Sequence, residues 1–325
     1  MPKRPCAIKI TPDNKTILCG DKFGDVYALP LLPTPEQLQP PTPAETAEKD
    51  EPKSFTPSAT TLTVHSGRNR RALEMQQKTA APAKAKQPLQ FAHELLLGHV
   101  SMLTDIAFIT HKEALDGEAK PRSYILTSDR DEHIRISRGP PQAHIIEGFC
   151  LGHKEFVNCL CAIDENTLVS GGGDDYLLVW DLGKREVRER IELRDAANKV
   201  LKMSAPYSDE PIPDQKIAVS GLWAISSDRK SIVLLITVEG VPALFSYAIP
   251  RSTDGSYILN LSEAGKEAEP LNIIPLRGNV LDVGVSNSQI IVSVDNIHGP
   301  GSRESIGSQK VSSHIIPSFL VLILF

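Results

Sequence analysis

Three residues within 153–174 have the side chains of a serine hydrolase site. His153 would serve as the base, Ser170 as the nucleophile and Asp174 as the orienting acid. The serine lacks, however, the G-x-S-x-G elbow that presents such a nucleophile in α/β-hydrolases. We therefore predict that the histidine, hydroxyl and carboxylate form a structural hydrogen-bond chain, which the indole N–H of Trp180 closes.

The same arrangement occurs twice, each time after a Gly-His pair. In both copies the hydroxyl and the acid stand ten and six residues before the last position of a short apolar run, which is Ser137 in the first copy and Trp180 in the second. The two predicted sets are His99, Thr127 and Asp131, and His153, Ser170, Asp174 and Trp180. A third copy, at residues 18–27, keeps the hairpin turn but lacks the hydrogen-bonding set. Equal offsets in separate segments predict a repeated structural unit.

The glycines, histidines and cysteines do not form a phosphate-binding, metal-binding or catalytic motif. The glycines at 171–173 lead into two aspartates and a strand, whereas a phosphate cradle leads into a helix N-terminus. The nine histidines are scattered singly, and the five cysteines include no C-x-x-C pair. Cys159 and Cys161 alternate along a predicted strand, where we expect both thiols to be buried on one face. We therefore expect no catalytic residue, no metal and no cofactor in this chain.

Short β-strands must position these residues. Apolar runs recur about every ten residues, separated by Gly, Asp, Asn or Pro, which is typical of sandwiches, barrels and propellers. Helical periodicity is arguable only over 181–200. The two Gly-His pairs lie 54 residues apart, further than the roughly 40–45 residues of a WD repeat, because the first copy has a polar insertion near 111–122. The sequence therefore predicts an all-β fold, a WD40-type β-propeller.

The composition fits a globular chain with one long insertion. The 325 residues are 41% hydrophobic and carry a formal charge of −5, which argues against a surface that is basic throughout. Residues 30–88 hold ten of the 25 prolines and long polar tracts, so we predict a disordered insertion. Its basic residues form a nuclear-import signal, a tail that reaches tRNA, or a solvated linker. They are Arg68, Arg70, Arg71, Lys78, Lys84 and Lys86.

The predicted organisation follows from these features. Residues 1–29 hold the strands of a first blade, 30–88 the insertion, 89–138 a WD blade, 139–182 the WD blade with the complete set, 183–295 further degenerate blades, and 296–325 an irregular or aberrant tail. The apolar run 318–325 is far shorter than the ~20 residues of a membrane helix. We therefore expect an intracellular, soluble chain that does not contact a membrane.

Four segments resemble one known family. They are residues 21–27 (Asp-Lys-Phe-Gly-Asp-Val-Tyr), 98–105 (Gly-His-Val-Ser-Met-Leu-Thr-Asp), 125–137 and 149–157. These segments are similar to the WD-repeat, non-catalytic subunit of the eukaryotic, fungal-type tRNA (guanine-N7)-methyltransferase. The resemblance implies a seven-bladed propeller that forms a heterodimer with a Rossmann-type methyltransferase and stabilises it. The pair would make 7-methylguanosine at tRNA position 46, with S-adenosylmethionine held by the catalytic partner.

The length of the chain outside the insertion is too short for the seven blades that the resemblance implies. Without residues 30–88 the chain has 266 residues, which we count as nearer five blades than seven. We therefore expect an incomplete propeller, with a C-terminus that is truncated or that results from a gene-model artefact.

The resemblance also implies a docking site for the partner. In the family, the partner contacts the side of the propeller through charged residues near the third and fourth blades. Lys154, which follows the matching Gly-His pair, is the first candidate. The supporting candidates, chosen by position, are Glu155, Arg130, Glu132, His133 and Arg135. The alternative is a merely solvated rim. We expect tRNA to be bound through the complex and the chain to be nuclear.

Two other function classes stay open on the residues alone. One is a generic WD-repeat adaptor or scaffold, such as a ligase substrate receptor or a chromatin-associated propeller. The other is an enzyme with its own pocket. Co-purification of a Rossmann-type methyltransferase would distinguish the methyltransferase subunit from the adaptor, and activity of the isolated chain on tRNA would indicate the enzyme.

Overall fold

The computed structural model describes residues 4–34, 70–71, 74–75, 92–115, 118–204, 216–226, 231–250, 257, 271–276, 278–286, 289–295 and 318–323. Contacts divide the chain into a unit of residues 3–29 and 94–325, which contains the sheets described below, and a unit of residues 1–2 and 30–93. The predicted insertion 30–88 and its basic cluster lie almost entirely outside the described residues.

The described strands form five antiparallel sheets, and within each sheet the strands follow chain order. The first sheet contains β1 (Pro5–Ile10), β2 (Thr16–Asp21), β3 (Asp25–Pro30) and β4 (Glu94–Gly98). The second contains β5 (Leu103–Leu115), β6 (Glu118–Asp129), β7 (His133–Arg138) and β8 (Ile146–Leu151). The third contains β9 (Val157–Ala162), β10 (Thr167–Gly172), β11 (Tyr176–Asp181) and β12 (Glu186–Glu192).

The remaining elements follow in the same way. Helix α1 (Arg194–Ser204) comes after the third sheet. The fourth sheet contains β13 (Val219–Ser226), β14 (Ser231–Val238), β15 (Ala243–Pro250) and β16 (Asn272–Pro275). The fifth contains β17 (Val280–Ser286), β18 (Gln289–Val294) and β19 (Ser318–Ile323). In the described part of the chain, no helix is long and apolar enough to span a membrane.

The first strands of consecutive sheets lie next to one another. Contacts join β1 to β5, β5 to β9, β9 to β13 and β13 to β17. Four-stranded meanders whose first strands adjoin in chain order are the arrangement of a propeller with its innermost strands together. The predicted all-β, WD40-type fold is therefore confirmed.

The core lies between consecutive sheets. All six residues of β11 are buried, because this strand is covered on both faces. Leu126 of the second sheet packs in one cluster with Leu168 and Trp180 of the third. All three side chains have no exposed surface. The blades are thus held to one another by apolar side chains that fill the space between sheets.

The sheet boundaries differ from the predicted blades 89–138 and 139–182. Strand β4 completes the first sheet by pairing with β3, and β8 completes the second by pairing with β7. Each Gly-His pair therefore stands where the chain leaves one sheet for the next. The sequence repeat begins with the outer strand of the preceding sheet, so that each repeat links two blades.

Two further expectations are corrected by the structure, and a third is located in it. Within the predicted irregular tail 296–325, residues 318–323 form β19, whose backbone pairs with the free edge of β18 from Val294↔Ser318 to Gln289↔Ile323. In the segment 181–200, helix α1 begins only at Arg194, because residues 186–192 pair with β11 as β12. The polar insertion near 111–122 extends the hairpin of β5 and β6.

A one-residue bulge interrupts the start of the first strand in every sheet. The bulged residues are Cys6, Thr104, Asn158, Ser220 and Leu281. Two of them bond to the next sheet: the Thr104 hydroxyl donates to Val157 O at 2.6 Å, and Asn158 Nδ2 donates to Val219 O at 3.2 Å. A bulge re-aims a side chain out of the ladder, which here allows a bond between blades.

Loss of the Thr104 hydroxyl should weaken the junction between the second and third sheets. Thr104→Val keeps the branched shape that suits a strand but removes the donor to Val157 O and the partner of the buried Ser128 hydroxyl, so we expect the free energy of unfolding to fall by at least about 1 kcal/mol. Denaturant unfolding measures this difference. Thr104→Ser keeps the donor and serves as the control; equal losses in the two variants would contradict a role for the hydrogen bond.

Candidate functional site

The structure brings His153, Ser170, Asp174 and Trp180 together in one buried chain. His153 Nδ1 lies 2.8 Å from Asp174 Oδ2, and His153 Nε2 lies 2.7 Å from Ser170 Oγ. Trp180 Nε1 donates to the same serine oxygen at 2.7 Å. Burial lowers the pKa of His153, which favours the neutral ring. A neutral imidazole that donates from Nδ1–H to the carboxylate accepts at Nε2 from the serine hydroxyl, whose oxygen accepts from the indole.

The acid of this chain also fixes the loop that carries two docking candidates. Asp174 stands in the turn between β10 and β11, and its Oδ2 accepts from the backbone N–H groups of Lys154 at 3.2 Å and Glu155 at 3.4 Å. Gly172 lets this loop approach closely, since a Cβ there would lie 1.8 Å from Phe156 O. The buried chain thus positions an exposed loop.

In the second sheet the acid that pairs with His99 is Asp129, and the prediction of Asp131 was wrong. His99 Nε2 lies 2.7 Å from Thr127 Oγ1, and His99 Nδ1 lies 3.3 Å from Asp129 Oδ2. Asp131 is exposed, and its N–H donates to Asp129 Oδ1. Thr127 and Asp129 stand two residues apart at the end of β6, so their side chains share the face toward His99. The third sheet has Gly172 at the equivalent position, without a carboxylate.

Arg135, one of the docking candidates, is bonded within the fold, while Ser137 stands at the position that matches Trp180. Its Nε donates to Ser137 Oγ at 2.9 Å, and its Nη1 donates to Gly98 O at 2.9 Å. The guanidinium is half-buried, and this burial lowers its pKa. It also affects His99, whose pKa is lowered first by burial and then by the positive charge of Arg135. Arg135 therefore holds β7 against β4 of the first sheet.

The other docking candidates are exposed or partly exposed at the same end of the second and third sheets. Arg130 and Glu132 lie in the turn between β6 and β7, where Glu132 adopts a positive φ of 58°. The side chain of Lys154 is exposed, while Glu155 Oε1 lies 3.1 Å from Lys216 Nζ. His133 is also exposed, on β7. The structure thus leaves charges of both signs facing solvent here.

Sequence reasoning missed two exposed apolar residues beside these charges. Phe149 and Leu151 on β8 are 45% and 63% exposed. The ring of Phe149 meets His133 edge-on, with centroids 6.5 Å apart. The signal was present in the sequence as an apolar residue at alternate positions of an outer strand, where a solvated rim would carry polar side chains.

The thiols of Cys159 and Cys161 are buried, as expected, and are poor nucleophiles. Burial raises the pKa of Cys159 to about 12 and that of Cys161 to about 11. Only the thiolate attacks an electrophile, so these side chains are inert near neutral pH. Among the described residues no cluster of His, Cys, Asp and Glu has the arrangement of a metal site.

A cleft of about 210 Å³ lies between the second and third sheets. Its polar lining includes His111, Arg122, Glu147, Glu165, Asn166 and Arg185. Glu147 pairs with Arg138, and Glu165 lies 3.9 Å from His111 Nδ1, beyond hydrogen-bond distance. The residues Glu165 and Arg185 lie in the turns that follow β9 and β11, at the opposite end of the sheet from Lys154.

Acid should destabilise the fold through His153. Burial lowers the pKa of this imidazole in the folded chain, whereas the unfolded chain protonates it near pH ~6.5. As the pH falls through that value, the unfolded state binds more protons than the folded state, so the free energy of unfolding decreases. We expect guanidinium unfolding at about pH 7.5 and about pH 5.5 to show this decrease in the wild-type chain and a smaller one in His153→Gln.

The exposed His144 supplies the control for this measurement. His144→Gln removes one histidine without touching the buried chain, and it should keep the wild-type difference between the two pH values. A His153→Gln variant with the full wild-type difference would show that another group causes the acid sensitivity.

Comparison with known proteins agrees with this geometry. The family described as tRNA methyltransferase TRM82 WD40 domain matches residues 1–319. Proteins named tRNA (guanine-N(7)-)-methyltransferase non-catalytic subunit TRM82 are similar to this chain in Phaeosphaeria nodorum, at 47% identity over 94% of the chain and 61% of the relative. The one in Coccidioides immitis is 45% identical over 98% of the chain and 59% of the relative.

A further relative has the same name in Aspergillus oryzae, at 44% identity over 99% of the chain and 59% of that protein. The chain therefore spans about three fifths of the length of these curated relatives. Since the family match covers nearly the whole chain, the resemblance inferred from the sequence is confirmed: the chain belongs to the TRM82 WD40 family of tRNA methyltransferase subunits.

Proposed function

We propose that this chain acts as the non-catalytic subunit of a heterodimeric tRNA (guanine-N7)-methyltransferase. It binds the catalytic subunit, stabilises it and positions it for 7-methylguanosine formation at tRNA position 46. The observation that carries the proposal is the similarity, over almost the whole chain, to relatives named as that non-catalytic subunit. The same names support this function rather than a generic WD-repeat adaptor.

The division of labour between the subunits follows from the proposal. The catalytic partner holds S-adenosylmethionine and performs methyl transfer, and tRNA is engaged by the complex. This chain supplies a surface built on rigid sheets, which reduces the entropy lost when the partner binds. Its histidine, serine and aspartate side chains at 153, 170 and 174 are occupied by one another and support the loop beside them.

Lys154 is the charged residue that we place first in the contact. Its side chain is exposed, while its backbone N–H is held by the Asp174 carboxylate. Because the backbone is fixed, only the side chain of Lys154 has to be ordered when it pairs with an acid. Glu155 beside it is partly exposed and faces Lys216.

Reversal of the charge at Lys154 should therefore impair the complex. In reconstitution with the cognate catalytic subunit, we expect Lys154→Glu to weaken binding by about tenfold or more and to reduce tRNA guanine-N7 methylation in parallel. Binding is measured by titration calorimetry and methylation by incorporation of labelled methyl groups.

Lys184→Glu is the matched control. Lys184 is also an exposed lysine of the third sheet, but it lies in the turn between β11 and β12, at the opposite end of the strands from Lys154. It should leave binding and methylation unchanged. If Lys154→Glu behaved like Lys184→Glu, the contact would lie elsewhere on the chain.

We also propose that the chain is nuclear, since residues 68–86 contain a basic cluster of the kind that import receptors bind. Replacement of Arg68, Arg70 and Arg71 by Ala should shift a fluorescent fusion from the nucleus to the cytoplasm. The same replacement in a fusion that carries a separate import signal is the control and should stay nuclear. A triple-Ala fusion that remained nuclear in cells lacking the catalytic subunit would contradict an import role for this cluster.

A further inference from the structure

Strand β8 carries an apolar patch on the outside of the second sheet. We call His133, Phe149 and Leu151 the β8 patch. Phe149 and Leu151 stand two residues apart on β8 and therefore point to the same side of the sheet. Leu151 lies opposite His133 on β7, and Phe149 lies opposite Arg135. The His133 and Phe149 rings meet at 72°.

The strands that carry the β8 patch are held in place by their neighbours. The Arg135 guanidinium is bonded to Ser137 on its own strand and to Gly98 of the first sheet. Cys150, which stands between Phe149 and Leu151 on β8 and points to the other side of the sheet, is buried. The two apolar side chains therefore stand on a strand that is anchored on both sides. Rigid anchors of this type lose little conformational entropy when a partner covers them.

An outer strand of this kind needs an explanation. The edge of a sheet normally carries charge, because exposed apolar side chains beside free backbone groups promote unwanted association. Phe149 and Leu151 are two large apolar side chains that are about half exposed or more on one side of β8, and adjacent exposure of this kind marks a contact with another molecule. Covering apolar residues at the centre of a contact is also the main source of its binding energy.

The patch is continuous with the loop that carries Lys154. Leu151 is followed directly by Gly152, His153 and Lys154, so the Cα atoms of Leu151 and Lys154 lie at most about 11 Å apart. The path between them is fixed: a Cβ on Gly152 would lie 2.9 Å from the Trp180 ring, and His153 is held in the buried chain. One partner can therefore cover both.

The charges around the patch favour a protein as the occupant. Arg130 and Lys154 are positive, and Glu132 and Glu155 are negative. A surface that binds RNA phosphates carries an excess of lysine and arginine. An apolar centre with a rim of both signs is instead the composition of a protein interface.

We propose that the β8 patch is the apolar anchor of the interface with the catalytic methyltransferase subunit. This inference rests on the proposed function and adds to it the residues that supply most of the binding energy. Phe149 and Leu151 insert into an apolar depression of the partner, and Lys154 pairs with an acidic residue at the rim. Arg135 holds β7 beside Phe149, and His153 holds the loop that carries Lys154.

The test uses the full chain and the cognate catalytic subunit in a binding titration. Phe149→Ser combined with Leu151→Ser should weaken binding by about tenfold or more, because it removes both anchors. Ile146→Ser is the matched control: Ile146 lies on the same strand, is 47% exposed and stands at the end of β8 away from Lys154. It should bind like the wild type. Thermal unfolding of each variant alone shows whether the sheet is intact.

Each outcome separates the inference from the proposed function. If the wild-type chain binds the catalytic subunit and the double variant binds equally well, the anchor is wrong while the proposed function stands. If the Ile146→Ser control loses as much affinity, the effect belongs to the strand in general and the anchor is again wrong. If the wild-type chain does not bind the catalytic subunit, both fall. Loss of direct tRNA binding in the double variant would make the patch an RNA site instead.

Discussion

A histidine that stays uncharged in the interior connects the fold of this protein to its surface. His153 is held by Ser170 on one ring nitrogen and by Asp174 on the other, and the carboxylate in turn accepts from the backbone of Lys154 and Glu155. The hydrogen-bond chain is stable because both imidazole nitrogens, the serine hydroxyl and the indole N–H find their partners within it. The backbone of the exposed loop is consequently tied to the sheet at these two residues. A docking surface can be built on such a loop at low entropic cost.

The sheets depend on one another in a similar way. Each first strand begins with a bulge, and at two junctions the bulged side chain donates to the backbone of the next first strand. The apolar clusters between sheets supply most of the stabilisation, but they are not directional. The hydrogen bonds from Thr104 and Asn158 add direction, because they form only when neighbouring strands are in one register. At these two junctions the hydrogen bonds fix the relative position of neighbouring sheets, and the apolar contacts hold the sheets together.

The sequence was informative where a spacing has one physical meaning. Ser170, Asp174 and Trp180 stand at offsets that only a hairpin can bring to His153, and the structure places them there. The same offset failed at Asp131, because Asp129 shares the strand face of Thr127 and reaches His99 first. A sequence offset gives only the number of residues between two positions. Which of two nearby acids bonds to the histidine depends on the direction of their side chains.

Residues whose role depends on what lies opposite them were harder to predict. Arg135 was chosen as a docking candidate by position alone, yet it donates to Ser137 on its own strand and to Gly98 of the first sheet. Strand β19 was missed because an isolated apolar run gives no indication of its partner, which is the edge of β18. Both depend on contacts between segments far apart in the chain.

Burial makes Ser170 inaccessible as a nucleophile, although it stands beside the histidine and aspartate of a hydrolase triad. The Ser170 oxygen is fully enclosed; it donates to His153 and accepts from Trp180, so no carbonyl carbon can approach it. A catalytic serine instead turns its oxygen toward solvent and substrate, with oxyanion donors beside it. The same three residue types can therefore either activate a nucleophile or pin two strands and a loop. In this chain their hydrogen-bonding capacity is used entirely within the blade, and the chemistry of the surface is left to exposed charges and the apolar side chains of β8.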